Sequence, residues 1–314
     1  MDLVATLRKK LDSLDDGDYK PGLRSVLLHI ETGFRHLQRG QDSDDDTAFT
    51  DAIYRTNQAF EGSVKEAYRV LAGQDPAHKR PFDIENYLDK EDVFRPRVLK
   101  QFKTYRTEWR NPSAHDYKLD FDSSEALLAL VSVAAFGCLL FDQIAERLAY
   151  NKSLLEAESQ KELLAKKLAL EPATNLTEQA VSLLREFCLH HLPSIASNHP
   201  STEVQLVGAL HGFISAAAPN LQVIAEQALN SSDRSRVDLM LARGEERLII
   251  EVKRRFSKAS YESALAQVGH YMLLGKVSQG VLLFVPARQT ELFANELRVD
   301  AIDGRLTVLS ERET

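Results

Sequence analysis

Two short apolar segments joined by a polar, glycine-containing turn place three charged residues at one end of a predicted hairpin. Over residues 237–241, Asp238 and a methionine alternate with aliphatic side chains. This pattern indicates a strand with Asp238 on the face opposite to the aliphatic side chains. The turn over residues 242–246 leads into an apolar run that ends at Glu251 and Lys253. Because these two residues are two positions apart, they point to one side of their strand. The sequence therefore predicts two adjacent strands with two carboxylates and an amine at one end.

Such a grouping can hold a divalent metal ion against a phosphodiester and supply a proton-handling amine beside it. Glu251 directly follows an Ile-Ile run, and charged groups at the end of a buried strand are costly unless they are paired or bound to a metal. Asp, Glu and Lys are also common residues, so the string taken alone is equally consistent with chance.

Four further segments frame this hairpin. In chain order they are a helix over residues 202–213, a strand over 221–229, a helix over 260–276 and a strand over 280–285. Glu203 lies beside the apolar stripe of the first helix. Gln267 and Tyr271 lie one turn apart on one face of the second helix. The order of elements is thus helix, three strands, helix and strand.

This region, roughly residues 195–290, resembles the PD-(D/E)XK nuclease superfamily, which has the restriction-endonuclease-like fold. The positions that match its helix glutamate, strand aspartate and ExK strand are, in order, Glu203, Asp238, Glu251 and Lys253. Residues 267–271 further resemble the QxxxY motif of the RecB-like branch. Val237 stands where the family name has proline, which is a common departure.

The resemblance implies a Mg²⁺-dependent endonuclease or exonuclease that hydrolyses phosphodiester bonds, of DNA rather than RNA. The ligands that it implies for Mg²⁺ or Mn²⁺ are Asp238, Glu251 and, in support, Glu203. Lys253 would orient the attacking water or stabilise developing charge. Gln267 and Tyr271 would position the nucleic acid or the ligands of the metal. A glutamine and a tyrosine that simply pack over the sheet are the alternative interpretation.

Basic residues are concentrated around the hairpin, although the chain as a whole is acidic. It has 39 Lys and Arg against 46 Asp and Glu, but between Arg234 and Lys258 eight basic residues face four acidic ones. A local basic rim can contact phosphates without making the whole protein a nonspecific binder. The predicted nucleic-acid contacts are Arg236, Arg254, Arg255 and Lys258. A solvated loop with ordinary surface arginines is the alternative.

A second candidate site lies in the first half of the chain. Residues 109–115 place Arg110 ahead of His115 with four residues between them and an asparagine directly after the arginine. Arginine can hold a phosphate, and histidine can move a proton near neutral pH. The pair could therefore cleave RNA without a metal by activating the ribose 2′-hydroxyl group. Alternatively, Arg110 and His115 cap a helix junction, because Asn-Pro-Ser is a helix start signal.

This stretch and residues 54–68 resemble the HEPN superfamily of helical bundles, over approximately residues 1–150. The resemblance implies an all-α domain and a homodimer through this domain, because the RNase site of such proteins forms across a twofold interface. HEPN domains also serve as dimerisation modules without activity.

A helical pattern without glycine or proline after Gly137 extends from residue 123 to about residue 170. It predicts a long connecting helix, either solvated or paired as a short coiled coil. Pro172 marks its expected end. The predicted domains are therefore a helical domain over residues 1–150, a helical linker over 151–171 and a nuclease domain over 172–314.

The remaining composition favours a cytoplasmic protein. The most apolar run, residues 127–141, has fifteen residues, fewer than the roughly 20 needed to span a bilayer, so no membrane association is expected. Cys138 and Cys188 offer neither a disulfide framework nor metal-ligand spacing. The N-terminus lacks a secretory pattern.

Taken together, the sequence predicts a cytoplasmic homodimer of the multidomain α and α/β class. It would combine an N-terminal all-α HEPN-like helical bundle, a long connecting helix and a C-terminal α/β restriction-endonuclease-like domain. Because such modules recur in prokaryotic anti-phage systems, the resemblance implies a role in host defence, with a sensor or second subunit as partner. The alternative functions are a metal-independent RNase acting through Arg110 and His115, and a non-catalytic nucleic-acid-binding adaptor.

Overall fold

The protein consists of two compact units, of different structural class. The computed structural model describes residues 2–115, 120–170, 173–195, 201–229 and 235–311. The first unit comprises Met1–Arg147 and the second Leu148–Thr314. The first unit is built from helices, whereas the second combines helices with a mixed sheet of six strands. The predicted combination of an α part and an α/β part is therefore confirmed at this level.

The first unit packs its helices around a cluster of aromatic rings. Its helices are α1 (Leu3–Asp12), α2 (Lys20–Ser43), α3 (Thr47–Leu71), α4 (Pro81–Lys90), α5 (Pro96–Tyr105), α6 (Asn111–His115) and the first part of α7 (Ser123–Ser159). Phe60 of α3 lies at the centre of the cluster, with its ring centroid 4.8 Å from that of Tyr105 and 5.6 Å from that of Phe136. The turn Arg106–Arg110, which joins α5 to α6, is π-helical.

Helix α7 contains the predicted apolar run of fifteen residues and extends well beyond it. It is 37 residues long, and by length and composition it is the one helix within the described residues that could cross a membrane. Half of its most apolar window (50%) is buried inside the protein, as expected for a core helix. Four of its large apolar side chains, Leu127, Leu128, Val131 and Leu155, are nevertheless exposed.

The segment predicted as one connecting helix is divided between two helices, and both pack into the second unit. Helix α7 ends at Ser159, and α8 (Lys161–Leu170) follows after a single residue. Ala157 and Leu164 are buried in the core of the second unit, so the segment predicted as a linker contributes to that core. Pro172, which was expected to open the last domain, lies outside the described residues.

The second unit contains one sheet with helices on both faces. The remaining helices are α9 (Leu176–Glu186), α10 (Leu192–Ile195), α11 (Glu203–Ala217) and α12 (Lys258–Gly275). The strands are β1 (Gln222–Ala228), β2 (Arg236–Arg243), β3 (Glu246–Lys253), β4 (Gln279–Phe284), β5 (Phe293–Val299) and β6 (Gly304–Ser310). The predicted order of helix, three strands, helix and strand is observed, but β5 and β6 extend the sheet beyond it.

Strand β3 is buried on both faces near the centre of the sheet. The strand order is β1-β2-β3-β4-β6-β5, with β3 antiparallel to β2 and parallel to β4. Leu248, Ile250 and Val252 belong to the core that includes α11, whereas Ile249 belongs to the core that includes α12. This continuous apolar run, typical of a strand covered on both sides, carries the candidate site at its C-terminal end.

Candidate active site at a fork in the sheet

Strands β2 and β3 diverge at one end and form a fork. The last residues that pair there are Leu239 and Ile250. Beyond this point β2 remains paired with β1, whereas β3 continues beside β4 as far as Lys253. Asp238 is the next residue on one branch and Glu251 the next on the other. The fork therefore brings the predicted strand aspartate to the predicted ExK segment.

Asp238 bridges the fork with its side chain. Its Oδ2 atom accepts a hydrogen bond of 2.8 Å from the backbone N–H of Val252, in the region where the pairing between the strands has ended. Burial raises the pKa of Asp238 to about 8, and the negative charge of Glu251 adds to the shift. The neutral form of the carboxyl group is therefore favoured at neutral pH, although the positive charge of Lys253 opposes the shift.

Glu251 is buried with one of its two carboxylate oxygens unsatisfied. The residue is 2% exposed, and its Oε1 atom accepts a hydrogen bond of 2.8 Å from Nζ of Lys253. Its Oε2 atom is buried and has no hydrogen-bond partner among the described residues. Burial raises the pKa of Glu251 in spite of the opposing hydrogen bond from Lys253. Burying a polar atom without a hydrogen-bond partner costs free energy. This oxygen is therefore a candidate ligand for a bound cation.

Lys253 links Glu251 to the helix glutamate. Its Nζ atom lies 3.6 Å from Oε1 of Glu203, which is the first residue of α11 and follows the helix cap at Thr202. Burial lowers the pKa of Lys253, but its hydrogen bond to Glu251 and the charges of Glu251, Glu203 and Asp238 outweigh this effect and raise it. Lys253 is therefore an ammonium group at neutral pH, which donates hydrogen bonds and does not accept a proton.

Gln267 and Tyr271 are close to each other on α12. Nε2 of Gln267 donates a hydrogen bond of 2.9 Å to the hydroxyl group of Tyr271, and the tyrosine packs against the apolar core on that side of the sheet. In the part of the chain that the structure describes, no hydrogen bond or ion pair joins either residue to the fork. Their predicted role in positioning nucleic acid or metal ligands stays a prediction.

The donor set of the fork suits a hard cation only in part. The described ranges contain no group of three or more His, Cys, Asp or Glu side chains arranged to hold a metal ion. Glu203, the third predicted ligand, is instead an ion-pair partner of Lys253. Asp238 and Oε2 of Glu251 remain. Two carboxylates fit Mg²⁺, which commonly binds one or two protein carboxylates and completes its shell with water and substrate phosphates.

The basic residues around the hairpin do not form one surface. Strand β2 runs from Arg236 at the fork to Arg243 at the hairpin turn, where Arg243 pairs with Glu246 at 2.8 Å. Arg247 lies at this far end as well. Part of the predicted excess of positive charge therefore lies at the opposite end of the strands from the carboxylates.

Three of the predicted nucleic-acid contacts follow directly after the ExK strand. They form what we call the basic rim: Arg254, Arg255 and Lys258. Arg255 and Lys258 are exposed and Arg254 is half-buried. The fourth predicted contact, Arg236, differs from these because its NH1 group donates a hydrogen bond of 3.0 Å to the backbone carbonyl of Glu226.

The candidate RNase motif of the first unit lies beside two acidic groups, of which one is buried. The NH2 atom of Arg110 lies 3.8 Å from Oε1 of Glu61, and its Nε atom lies 3.9 Å from Oε1 of Glu85. Glu85 is buried, and burial raises its pKa although the charge of Arg110 opposes the shift. The side chain of His115 lies outside the described residues, so the pairing of Arg110 with His115 stays a prediction.

A buried hydrogen-bond network holds the start of α6 against α3. Nδ2 of Asn57 donates to Oγ of Ser113 at 2.7 Å. The hydroxyl group of Tyr105 lies 2.6 Å from Oγ1 of Thr56 and 3.0 Å from Oδ1 of Asn57. Sequence reasoning missed this network. The available signal was a polar pair, Thr56 and Asn57, among the mostly apolar inward positions of α3.

Comparison of this chain with protein-family models, with curated proteins and with solved structures found no match. The function is therefore inferred from the residues at the fork and at Arg110, and from the chemistry that their geometry permits.

Proposed function

We propose that the second unit is a Mg²⁺-dependent nuclease that hydrolyses phosphodiester bonds in DNA. The observation that carries this proposal is the unpartnered, buried Oε2 atom of Glu251 next to Asp238, whose pKa is raised to about 8. Burial raises the pKa of both the half-buried Asp238 and the buried Glu251, so the charged forms of the two groups are unfavourable. A divalent cation would compensate both groups at once, which is the arrangement that metal-assisted phosphodiester hydrolysis requires.

The residues of the fork would have two roles, metal binding and charge stabilisation. Asp238 and Glu251 would hold Mg²⁺, which when bound supplies an activated water molecule and neutralises charge on the phosphate. Lys253 would donate a hydrogen bond to a phosphate oxygen and stabilise the charge that develops there. Its raised pKa supports this role and argues against a role as a general base at neutral pH. Glu203 would orient Lys253 through their ion pair.

The substrate proposal rests on the basic rim. Arg254, Arg255 and Lys258 leave β3 immediately after Lys253, so a polyanion bound at the fork would contact them. Such contacts act on the phosphate backbone and do not depend on sequence. The choice of DNA over RNA follows from the resemblance to PD-(D/E)XK nucleases and stays part of the proposal.

The direct test compares purified wild type with Asp238→Asn and Lys253→Met on DNA and on RNA. Each substrate is incubated with Mg²⁺, with Mn²⁺ and with EDTA. We expect cleavage of DNA by wild type with metal, and a loss of about 1,000-fold in both variants, because interactions of this kind contribute several kcal/mol to the transition state. Glu245→Gln, which changes an exposed carboxylate at the hairpin turn, is the control. Equal cleavage activity of all the proteins, or cleavage that survives EDTA, would contradict the proposal.

A second candidate function is RNA cleavage by the first unit through Arg110 and His115. The π-helical turn Arg106–Arg110 favours it, because such turns are frequent at functional sites, as does the buried network that fixes α6. It predicts RNA cleavage that survives EDTA and disappears in His115→Ala. Persistence of that cleavage in the variant would assign it to another group.

We also propose that the chain forms a homodimer through the first unit. The exposed side chains of Leu127, Leu128 and Val131 on α7 support this, because an apolar helix is usually covered on all sides. The mass of the particle by light scattering tests the proposal: we expect a dimer for wild type and a monomer for Leu128→Arg. A wild-type monomer would contradict it.

The wider role follows only from the resemblances of the two halves. We propose a cytoplasmic protein of prokaryotic anti-phage defence that receives its trigger from a sensor or second subunit. The competing proposal is an adaptor that binds nucleic acid without cleaving it. Salt-sensitive binding of DNA without turnover under any metal would favour the adaptor.

A further inference from the structure

The backbone of Glu226 is strained directly opposite the candidate catalytic aspartate. Glu226 lies inside β1 with a φ angle of 50°, in the left-handed region that non-glycine residues rarely adopt. The residues before and after it remain paired with those on either side of Asp238. Glu226 therefore faces Asp238 across the two strands. A strained backbone conformation persists inside a strand only when the surrounding structure holds it, and such residues are frequent at active sites.

Asp238 is consequently free of strand pairing on both sides. All residues of β2 are described, and Asp238 is the single one without a register partner in either β1 or β3. The fork removes the partner on one side, and the left-handed turn of Glu226 removes it on the other. Irregularities of this kind re-aim a side chain and are frequent next to active sites. The carboxylate of Asp238 is thereby available to the N–H of Val252.

Arg236 braces the strained residue. Its NH1 group donates a hydrogen bond of 3.0 Å to the backbone carbonyl of Glu226. Arg236 is two positions away from Asp238 on β2. The half-buried guanidinium group thus interacts with the main chain of β1 next to the fork.

We propose that Arg236 and the left-handed backbone of Glu226 together position Asp238, and that Arg236 is a positioning residue and not a nucleic-acid contact. This inference rests on the proposed nuclease function for its catalytic consequence, but its structural part does not. Without the brace, Glu226 would relax to an extended conformation and pair with Asp238. The aspartate would then lose its hydrogen bond to Val252 and its place in the fork.

The kinetic experiment compares Arg236→Leu with Arg254→Leu, the same change in the basic rim. For Arg236→Leu we expect kcat to fall about 10- to 100-fold, as for groups that orient metal ligands, with KM and its dependence on salt unchanged. For Arg254→Leu we expect a higher KM and a salt-dependence slope that is reduced by about one, as for a lost phosphate contact. A raised KM and a reduced slope for Arg236→Leu would overturn the proposal.

A rescue variant separates positioning from general damage. Glycine adopts the left-handed conformation without strain, so Glu226→Gly no longer needs the brace. The double variant Arg236→Leu with Glu226→Gly should regain most of the lost kcat, which no restored phosphate contact could explain. If Arg236→Leu alone does not fold, the double variant should fold, and its kcat should match that of Glu226→Gly. Failure of the double variant to recover would overturn the proposal.

A measurement that needs no turnover completes the test. The backbone N–H of Val252 is protected by its bond to Asp238, so its hydrogen exchange should accelerate in Arg236→Leu, return in the double variant and stay normal in Arg254→Leu. Unchanged exchange in Arg236→Leu would overturn the positioning role. If wild type cleaves no nucleic acid but the exchange follows this pattern, the nuclease proposal fails while the positioning of Asp238 stands.

Discussion

Each unit contains a buried glutamate next to a basic residue, Glu251 at the fork and Glu85 beside Arg110. Burial raises the pKa of both. Lys253 and Arg110 each lie close to two carboxylates. At the fork, however, one oxygen of Glu251 is buried without a hydrogen-bond partner among the described residues, which is not the case for Glu85. A buried carboxylate therefore does not by itself mark a site for a cation. A buried carboxylate oxygen that lacks a donor does.

The largest expected difference between the two glutamates is in catalysis. If the proposed function holds, Glu251→Gln should lower kcat for DNA cleavage by about 1,000-fold, because it removes a proposed metal ligand whose interactions would contribute several kcal/mol. The same substitution at the other site, Glu85→Gln, should leave DNA cleavage unchanged. Steady-state rates with Mg²⁺ measure both. A comparable loss in Glu85→Gln would show that the two units act on one reaction and that the two glutamates do not differ in this respect.

The second difference concerns pH and metal. In the metal-free folded protein Asp238 keeps its proton up to about pH 8, whereas the ordinary pKa of the group is 3.8. Between these values the folded state binds more protons than the unfolded state, so the free energy of unfolding should fall as the pH rises through this window. In the proposed function Mg²⁺ would replace the proton, and at 100 times its Kd it should restore about 2.7 kcal/mol.

Thermal unfolding between pH 5 and pH 9, with and without Mg²⁺, measures this effect. The stabilisation by metal should grow with pH, because the metal needs the ionised carboxylate. Asp238→Asn is the control: it should lose the part of the pH dependence that comes from Asp238, and it should not respond to metal. A metal response that is independent of pH in wild type would place the binding site elsewhere.

The third difference is in what the basic residue does. Arg110→Met should lower the free energy of unfolding by about 1–2 kcal/mol, because it removes the larger of the two positive charges, those of Arg110 and Arg106, that act on the buried Glu85. The double variant Arg110→Met with Glu85→Gln should recover part of this loss. Denaturant unfolding followed by circular dichroism measures both. Additive losses in the double variant would mean that the two side chains are not coupled.

The sequence was sufficient for the elements around the fork but not for the fork itself. Alternation and helical spacing predicted α11, β1 to β4 and α12 with ends close to those observed, since these patterns are local. The separation of β2 from β3, and the strain at Glu226, depend on strand register and on the bond from Arg236, which no local pattern encodes. The opposite positions of Arg236 and Arg243 did follow from strand direction and were available from the sequence.

Two other features could not be predicted from local sequence patterns, for similar reasons. Strand β5 is an edge strand with many exposed positions, so it lacks the apolar run that identifies a buried strand. The bond between Asn57 and Ser113 joins residues 56 positions apart, and only the tertiary fold brings them together. The polar residues in the middle of α3 could have been noted, but their partners could not have been named.

The smallest expected effect belongs to the helix pair that resembles the QxxxY motif. Tyr271→Phe removes the hydroxyl group that accepts a hydrogen bond from Gln267, and an interaction of this kind contributes about 0.5–1.5 kcal/mol to stability. Because the described contacts of the pair do not reach the fork, we expect kcat to stay within about threefold of wild type, which is less than 1 kcal/mol in the barrier. A loss of tenfold or more, with KM unchanged, would instead mean that α12 participates in the site and that the motif acts as its resemblance implies. The same assay on Gln267→Met would then show whether the glutamine or the tyrosine is the group that matters.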